Sequence, residues 1–507
     1  MKARTLMIQG TGSSVGKSIL VAALCRIFKQ DGFSVAPYKS QNMSLNSYVT
    51  RDGGEMGRAQ VAQAEAAGIE PSVDMNPILL KPEADARSQV VLMGRPAMTV
   101  SAGEYYLHTP ELLRAAEESL SRLCSRHDII VIEGAGSPAE INLKRCEIVN
   151  MCIAKLADAP VLLVGDIDKG GVFAQLVGTL ALLDDDEREY IKGFIINKFR
   201  GDISLLKPGL DELERITSLP VLGVVPYYHD IFIDEEDSVR RDTPSQATTD
   251  IDIAVIHLPH ISNSTDFEPM QREQGVIVRY IRHAKDMGQP DVIILPGSKS
   301  TISDLAQIRN TGIADAIVDS ARSGVPVIGI CGGFQMLGER IDDPAHTESD
   351  RDSVAGLGLL HVVTTFAKRK TTWQVRATCS CEHGILGGLN GEEIGGYEIH
   401  MGQTLSDMLS PAFRIISRGE RRSNHLDGAV SENGNIVGTY IHGLFENDSV
   451  RRCLLSNLRK TKGIDCETRS FALSKDSEYD KLAALVRGSL DMDMIYKITG
   501  LKRKKRR

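Results

Sequence analysis

Two stretches of this 507-residue chain hold side chains whose type and spacing could do chemistry. The first is Gly10-Thr11-Gly12-Ser13-Ser14-Val15-Gly16-Lys17-Ser18. A glycine-bearing turn of this kind points backbone N–H groups at an anion, its lysine adds positive charge, and the following hydroxyl can bind Mg²⁺. Thr11 stands where the strict P-loop pattern has glycine, so the loop runs G-x₅-G-K-S, one residue longer than usual. The second stretch is Gly329-Ile330-Cys331-Gly332-Gly333, which has the layout of a nucleophile elbow. Small neighbours permit the strained turn that exposes Cys331, and a helix N-terminus behind it favours the thiolate. Backbone N–H groups at Gly332 and near Gly297-Ser298 are candidates for an oxyanion hole. A thiol nucleophile wants a histidine base. Of twelve histidines, His442 is best placed, after an apolar run and before Gly443; His400 comes second.

Such side chains need elements to hold them. Residues 5–10 form an apolar run of strand length, and Ile19, Leu20, Ala23, Leu24, Ile27 and Phe28 follow at helical spacing. This context distinguishes a phosphate loop from a glycine-rich surface turn, and we expect it to bind a nucleoside triphosphate. Further apolar runs at 33–39, 128–132, 160–165, 193–197 and 221–225 alternate with helical segments such as 111–126. That alternation predicts an α/β domain with a parallel sheet covered on both faces, whose ligands bind at the carboxyl ends of the strands. Glu133 at one such end could complete Mg²⁺ coordination with Ser18, and Asp52 is a second candidate ligand. Asn197 could present its amide to a purine edge. Strand-end residues of these types also serve as plain turn and capping residues.

Residues 40–48, with Gln41, Asn42, Ser44 and Asn46, are unusually rich in amides and hydroxyls. They read as a loop, or as a surface for a large substrate carrying many carboxamides and carboxylates. Acidic 234–237 and polar 240–250 look like a linker, after which strand-like runs restart at 251–258, 276–281 and 291–295. We therefore expect an ATP-binding domain over 1–238, a linker over 239–250, a second α/β domain over 251–460, and a C-terminal extension over 461–507.

Composition narrows the field. Hydrophobic content of 42% and charged content of 25% are those of a globular protein. Net charge is −8 although Lys502–Arg507 contributes +6, which leaves −14 on the rest and argues against a nucleic-acid partner. No apolar run approaches a membrane span, and the first strand begins too early to leave room for a signal peptide. Nine scattered cysteines make no disulfide framework, and Cys379-Ser380-Cys381 lacks the second pair of a zinc site. A reducing cytoplasm fits these features. They leave oligomeric state open.

The stretch Gly329-Ile-Cys-Gly-Gly-Phe-Gln-Met-Leu-Gly338, with Leu295-Pro-Gly-Ser-Lys299 upstream and His442 downstream, resembles the class I glutamine amidotransferase domain. In that family the cysteine attacks the side-chain amide of glutamine and releases ammonia. A glutamate usually follows the histidine by two residues to orient it; here Leu444 stands there, with Glu446 as a weak substitute. That loss is typical of the branch formed by the cobyric acid and cobyrinic acid diamide synthases. The N-terminal half is similar to dethiobiotin synthetase, longer loop included. Gln41–Tyr48, 133–142, 166–174, Asn197–Asp202 and 396–402 extend the resemblance to about residues 4–460.

The resemblance implies a ligase of the cobalamin pathway that uses ATP, Mg²⁺ and glutamine to amidate the b, d, e and g carboxylates of adenosylcobyrinic acid a,c-diamide. It adds Glu147, where an aspartate is expected, and Asp166 to the candidate substrate residues. The rivals are amidation of an earlier corrinoid at a and c, and a non-catalytic P-loop switch. The 40–48 stretch favours the later enzyme. The absence of a second lysine early in the loop, together with the intact Cys331 and His442, speaks against the switch.

Overall fold

The computed structural model describes residues 3–83, 87–228, 230–233, 250–405, 410–464 and 475–502. The acidic 234–237 run, almost all of the expected linker and the tail beyond Lys502 lie outside the described residues. Apolar side chains on both faces drive six strands into one parallel sheet. Its order is Val221–Pro226, Ile191–Phe199, Val161–Asp166, Arg4–Gly10, Ile129–Glu133 and Val35–Tyr38. Every residue of Ile129–Glu133 and Val161–Asp166 is buried. Register aligns Ile8 with Glu133 and Gly10 with Val164, so the central strands deliver their carboxyl ends to one place. The phosphate loop leaves the sheet there and enters the helix Lys17–Gln30.

Two additions on this domain were not legible as apolar runs. A four-stranded sheet joins Gln41–Met43, Ile78–Pro82, Arg87–Leu92 and Arg95–Ser101. A short hairpin, Ser47–Val49 with Glu55–Gly57, projects from the 40–48 stretch toward the second domain.

In the second domain Val276–Ile281, Ile251–Ile256, Val292–Leu295, Val327–Ile330 and Ile436–Thr439 lie parallel, and Ala429–Val430 adds an antiparallel edge. Beside it stands a mainly antiparallel sheet built on the long strands Val363–Cys379 and Glu393–Leu405. Ile441–His442 pairs with the second of these, opposite Tyr397. The two domains meet along the hairpin. Asn263 accepts from the Ser47 N–H at 2.9 Å, Asn46 accepts from the Ser264 N–H at 2.8 Å, and Arg58 pairs with Glu446 at 2.8 Å.

The C-terminal segment does not stay with the second domain. Helices Lys475–Ser489 and Met492–Thr499 pack Tyr479, Leu482, Val486, Ile495 and Tyr496 into the first domain's core beside Phe28 and Phe33. Arg26 holds Asp480 at 2.7 Å and Asp476 at 2.8 Å, and Arg487 holds Asp31 at 2.9 Å. The expected extension is therefore structural material of the ATP-binding half.

Candidate active site

The phosphate loop is held open by side chains from the neighbouring strand ends. Gly16 (φ 98°) and Ser14 (φ 58°) take left-handed conformations, as an anion nest requires. Lys17 donates to the carbonyls of Gly12 (2.7 Å) and Gly136 (3.1 Å). Asn197 donates its amide to the Val15 carbonyl at 2.8 Å, and a Cβ on Gly16 would fall 2.1 Å from that nitrogen. Asn197 therefore braces the loop through its amide nitrogen. Thr11 bonds Gln175 at 3.1 Å. Asp166 is buried in an ion pair with Lys198 at 3.0 Å, and Lys198 also reaches the Ser14 carbonyl.

Glu133 sits on the floor of this nest. It accepts from Ser18 Oγ at 2.8 Å, from Lys39 Nζ at 2.9 Å and from the Gln63 amide. Burial works against its charge, but Lys39, Gln63 and Ser18 outweigh burial and hold the carboxyl below the usual range. Sequence reasoning missed Lys39 and Gln63. Lys39 directly follows a strand, and Gln63 lies on the buried face of the helix Arg58–Ala67. Ser18 and Glu133 together offer the hard oxygen ligands that Mg²⁺ prefers. Among the described residues no group of three His, Cys, Asp or Glu could hold a metal ion.

Other candidates are placed elsewhere. Asp52 is exposed at the hairpin tip and bonds Thr50, on the turn whose Gly53 packs against Thr372 and Trp373, so it does not join Ser18 and Glu133. Glu147 accepts from the N–H groups of Val149, Asn150 and Cys152 (3.0 Å for the last), ahead of and within the first turn of the helix Met151–Ala157. Asn42 is buried against Gln60 at 3.0 Å, and Ser44 turns back onto Asn46. Asn46 is the interdomain contact already described. Gln41 accepts from the Tyr105 hydroxyl. The 40–48 stretch thus divides: Gln41, Asn42 and Ser44 bond within the first domain, and Asn46, Ser47 and Tyr48 reach the second.

At the second site Cys331 adopts φ 52°, ψ −108°, the strained turn expected of an elbow. Glycine is required around it. A Cβ on Gly333 would lie 2.0 Å from the Leu295 carbonyl oxygen, and one on Gly332 would lie 2.8 Å from the Ser298 amide nitrogen. The Ser298 and Gly332 backbones are thus adjacent, as an oxyanion site needs. Gly297 lies against the His442 ring.

His442 is fully buried and stacked on Tyr397 with centroids 5.3 Å apart. Its Nδ1 meets Asp266 at 2.7 Å, while Nε2 has no hydrogen-bond partner. Burial alone would discharge the ring, but Asp266 and the neighbouring Cys331 outweigh it and raise its pKa to about 10. Asp266 also accepts from the Gly443 N–H at 3.1 Å. It occupies the place beside His442 for which sequence offered Glu446, which instead pairs with Arg58 and Lys475. His400 lines a cavity at Cys331 but donates Nδ1 to the Gly402 carbonyl at 2.7 Å and stacks on Tyr440.

That cavity, about 360 Å³, is bounded by both domains. Cys331, Gln335 and Ile399 line it from the second domain, and Lys81, Glu83, Arg87 and Thr99 from the small sheet of the first. Where the domains join it, Glu55 is wholly buried between Lys81 and Lys370, each at 2.6 Å, and Lys299 reaches Glu83 at 2.7 Å.

Comparison with known proteins agrees with this geometry. Residues 6–239 match the CobQ/CobB/MinD/ParA nucleotide binding domain, and residues 252–450 match the CobB/CobQ-like glutamine amidotransferase domain. A cobyric acid synthase of Dehalococcoides mccartyi (strain CBDB1) is 56% identical over 98% of this chain and 99% of its own. Those of Sorangium cellulosum (52%, covering 99% of this chain and 100% of that one) and Moorella thermoacetica (51%, 99% and 98%) are similar at the same full length. The likeness runs into the C-terminal helices, beyond the span legible from motifs. With a phosphate nest in one domain and a Cys331–His442–Asp266 cluster in the other, the chain belongs to the cobyric acid synthase family.

Proposed function

We propose that this chain amidates peripheral carboxylates of a corrinoid in cobalamin biosynthesis, at the expense of ATP and glutamine. The substrate is adenosylcobyrinic acid a,c-diamide, and the carboxylates are those at b, d, e and g. The observation that carries this reading is the cavity at Cys331, one wall of which belongs to the ATP-binding domain. Ammonia released there forms beside the ligase half, and a local source matters because free ammonia is mostly ammonium at neutral pH.

Each half then has a defined task. Cys331, as thiolate beside protonated His442, attacks the δ-carbonyl of glutamine, and the oxyanion rests on the amides of Gly332 and Ser298. His442 gives its proton to the departing ammonia and recovers one from the water that hydrolyses the thioester to glutamate. Asp266 keeps the ring oriented and charged. In the other half Lys17 and the loop amides hold the triphosphate. Ser18 and Glu133 would hold Mg²⁺, which neutralises phosphate charge when bound. Lys39 lies beside Glu133, ready to steady charge on the transferring phosphoryl group. The corrinoid carboxylate takes the γ-phosphoryl group, and ammonia displaces phosphate from the acyl phosphate to leave the amide. The eight described cysteines are free thiols, which accords with a reducing cytoplasm.

Mass spectrometry of adenosylcobyrinic acid a,c-diamide incubated with protein, Mg-ATP and glutamine tests the reading. Stepwise amidation by the wild type is expected. A Cys331→Ala variant should act with ammonium and not with glutamine. No mass change in any reaction, with both proteins folded and binding ATP, would overturn the assignment.

A further inference from the structure

A larger cleft, about 1030 Å³, is also bounded by both domains and takes no part in the steps above. Tyr48 and Arg51 of the hairpin form one side, and the antiparallel sheet of the second domain forms the other. Lys17, Glu133 and Cys331 are absent from its wall, so it is neither the phosphate nest nor the glutaminase cavity. Three donors in that wall have nothing to donate to. Strands Phe413–Arg418 and Arg421–Asp427 place Ser417 opposite Arg422, and neither side chain makes a hydrogen bond or ion pair among the described residues. The third donor is Tyr397, only 4% exposed, whose hydroxyl takes no hydrogen bond there either. Its ring packs on His442 and on Tyr48, with centroids 5.3 Å away in both cases, so the hydroxyl is held in place before any ligand arrives. A hydroxyl that deep in a fold normally has a partner.

Two more arginines stand in the wall. Arg51 pairs with Glu420 across the domains at 2.9 Å, and Arg376 pairs with Glu393. All four of these side chains are at least 42% exposed. Exposed pairs of this kind are worth little, so a ligand carboxylate can replace either glutamate at small cost. Donors without acceptors call for an anion, and donors set on separate strands call for charge that is spread as widely. The volume is that of a large ligand. We propose that this cleft docks a large polycarboxylate, with Arg422 and Ser417 holding one carboxylate and Tyr397 donating to another. On the corrinoid reading above, on which this rests, the ligand is the corrinoid, and the docked groups are carboxylates that are not reacting at the nest. An amide cannot form the charged, forked pair that a carboxylate forms with arginine. Each amidation therefore weakens the hold, and the finished product leaves.

The test is equilibrium binding, read from the fluorescence of Trp373, the single tryptophan and the neighbour of Gln374 in the cleft wall. The ligands are adenosylcobyrinic acid a,c-diamide, its fully amidated product, citrate and Mg-ATP. Arg422 is exposed, so Arg422→Gln leaves the fold intact. Wild type should bind the a,c-diamide about tenfold or more tightly than the product. Arg422→Gln should lose roughly 10- to 100-fold on the diamide and little on the product. In steady state the corrinoid KM should rise by a similar factor, with kcat and the KM values for ATP and glutamine unchanged. Arg422→Lys, which keeps the charge but not the fork, should recover part of the loss. Unchanged diamide binding by Arg422→Gln overturns the proposal. So do equal losses on diamide and product, a loss on Mg-ATP, or a loss as large on citrate, which would mark a general anion patch. The corrinoid reading fails differently: wild type then amidates no corrinoid, and a wild type that also binds none removes both.

Discussion

At the scale of single residues, the decisive partner is Asp266. It stands 176 positions before His442, so no local pattern announces it; only the fold brings the two to 2.7 Å. Replacing Asp266 by Asn removes the charge that keeps a buried imidazole protonated. Glutamine-driven kcat should fall by about 10²–10⁴-fold while ammonium-driven amidation persists, which paired steady-state assays would show. The raised His442 pKa also fixes a sign. Its folded value near 10 exceeds the ordinary 6.5, so the pair's contribution to stability is complete below about pH 6.5 and is lost as pH climbs through 10. Thermal denaturation of wild type and His442→Ala across that window should show the gap between them closing with rising pH. The residues proposed as reactive, Cys331, His442, Lys17 and Ser18, could be picked out of the sequence because their chemistry demands particular neighbours there. The groups that tune them, Asp266, Lys39 and Gln63, were not.

At the scale of elements, strand and helix positions in both parallel sheets followed from apolar runs, since strands buried on both faces leave an unbroken apolar signature. The antiparallel sheet on Val363–Cys379 and Glu393–Leu405 did not, because its strands alternate buried and exposed residues and carry many charges. The 40–48 stretch stood out in the sequence by its amides, but which partner each amide takes, Tyr105 for Gln41, Gln60 for Asn42 and Ser264 across the domains for Asn46, was not legible. The elbow depends on the close approach of the helix Gly332–Leu337 to the strand Val292–Leu295. Gly333→Ala forces a methyl against the Leu295 carbonyl and should cost about 1–3 kcal/mol, or more if the turn cannot shift. Chemical denaturation measures this. The same variant should lose glutaminase activity more steeply than stability, because a displaced turn moves Cys331 away from His442.

At the scale of the molecule, the two halves are locked by charge as well as by shape. Burial opposes ionisation of Glu55, but Lys370 and Lys81 outweigh it and hold the carboxyl far below the ordinary range. Lys370→Met leaves that carboxylate with one partner at the domain boundary. A loss of about 3 kcal/mol is expected by denaturant titration, together with more glutamine hydrolysed per amide formed as the interface loosens. The return of the C-terminal helices was not legible in the sequence, since nothing local says which core an amphipathic helix will join. Removing residues 475–507 strips Tyr479, Leu482, Val486, Ile495 and Tyr496 from the ATP-binding core. At ~1.5–3 kcal/mol per buried side chain the loss is on the order of 10 kcal/mol, comparable to a whole domain's stability. Such a truncation should abolish cooperative unfolding of the first half in a melting experiment.

That return of the chain orders events during synthesis. The helix Lys17–Gln30 leaves the ribosome early, but its partner Lys475–Ser489 is more than 440 residues behind. At ~5–20 residues per second the nascent first half waits on the order of 20–90 s with Phe28 and Phe33 uncovered. The ATP-binding half, first to be made, is the last to be finished. A message cut short between about codons 462 and 475 yields a chain with its second domain encoded in full and its nucleotide site unsupported, marked for chaperones or proteases by the apolar face it cannot hide.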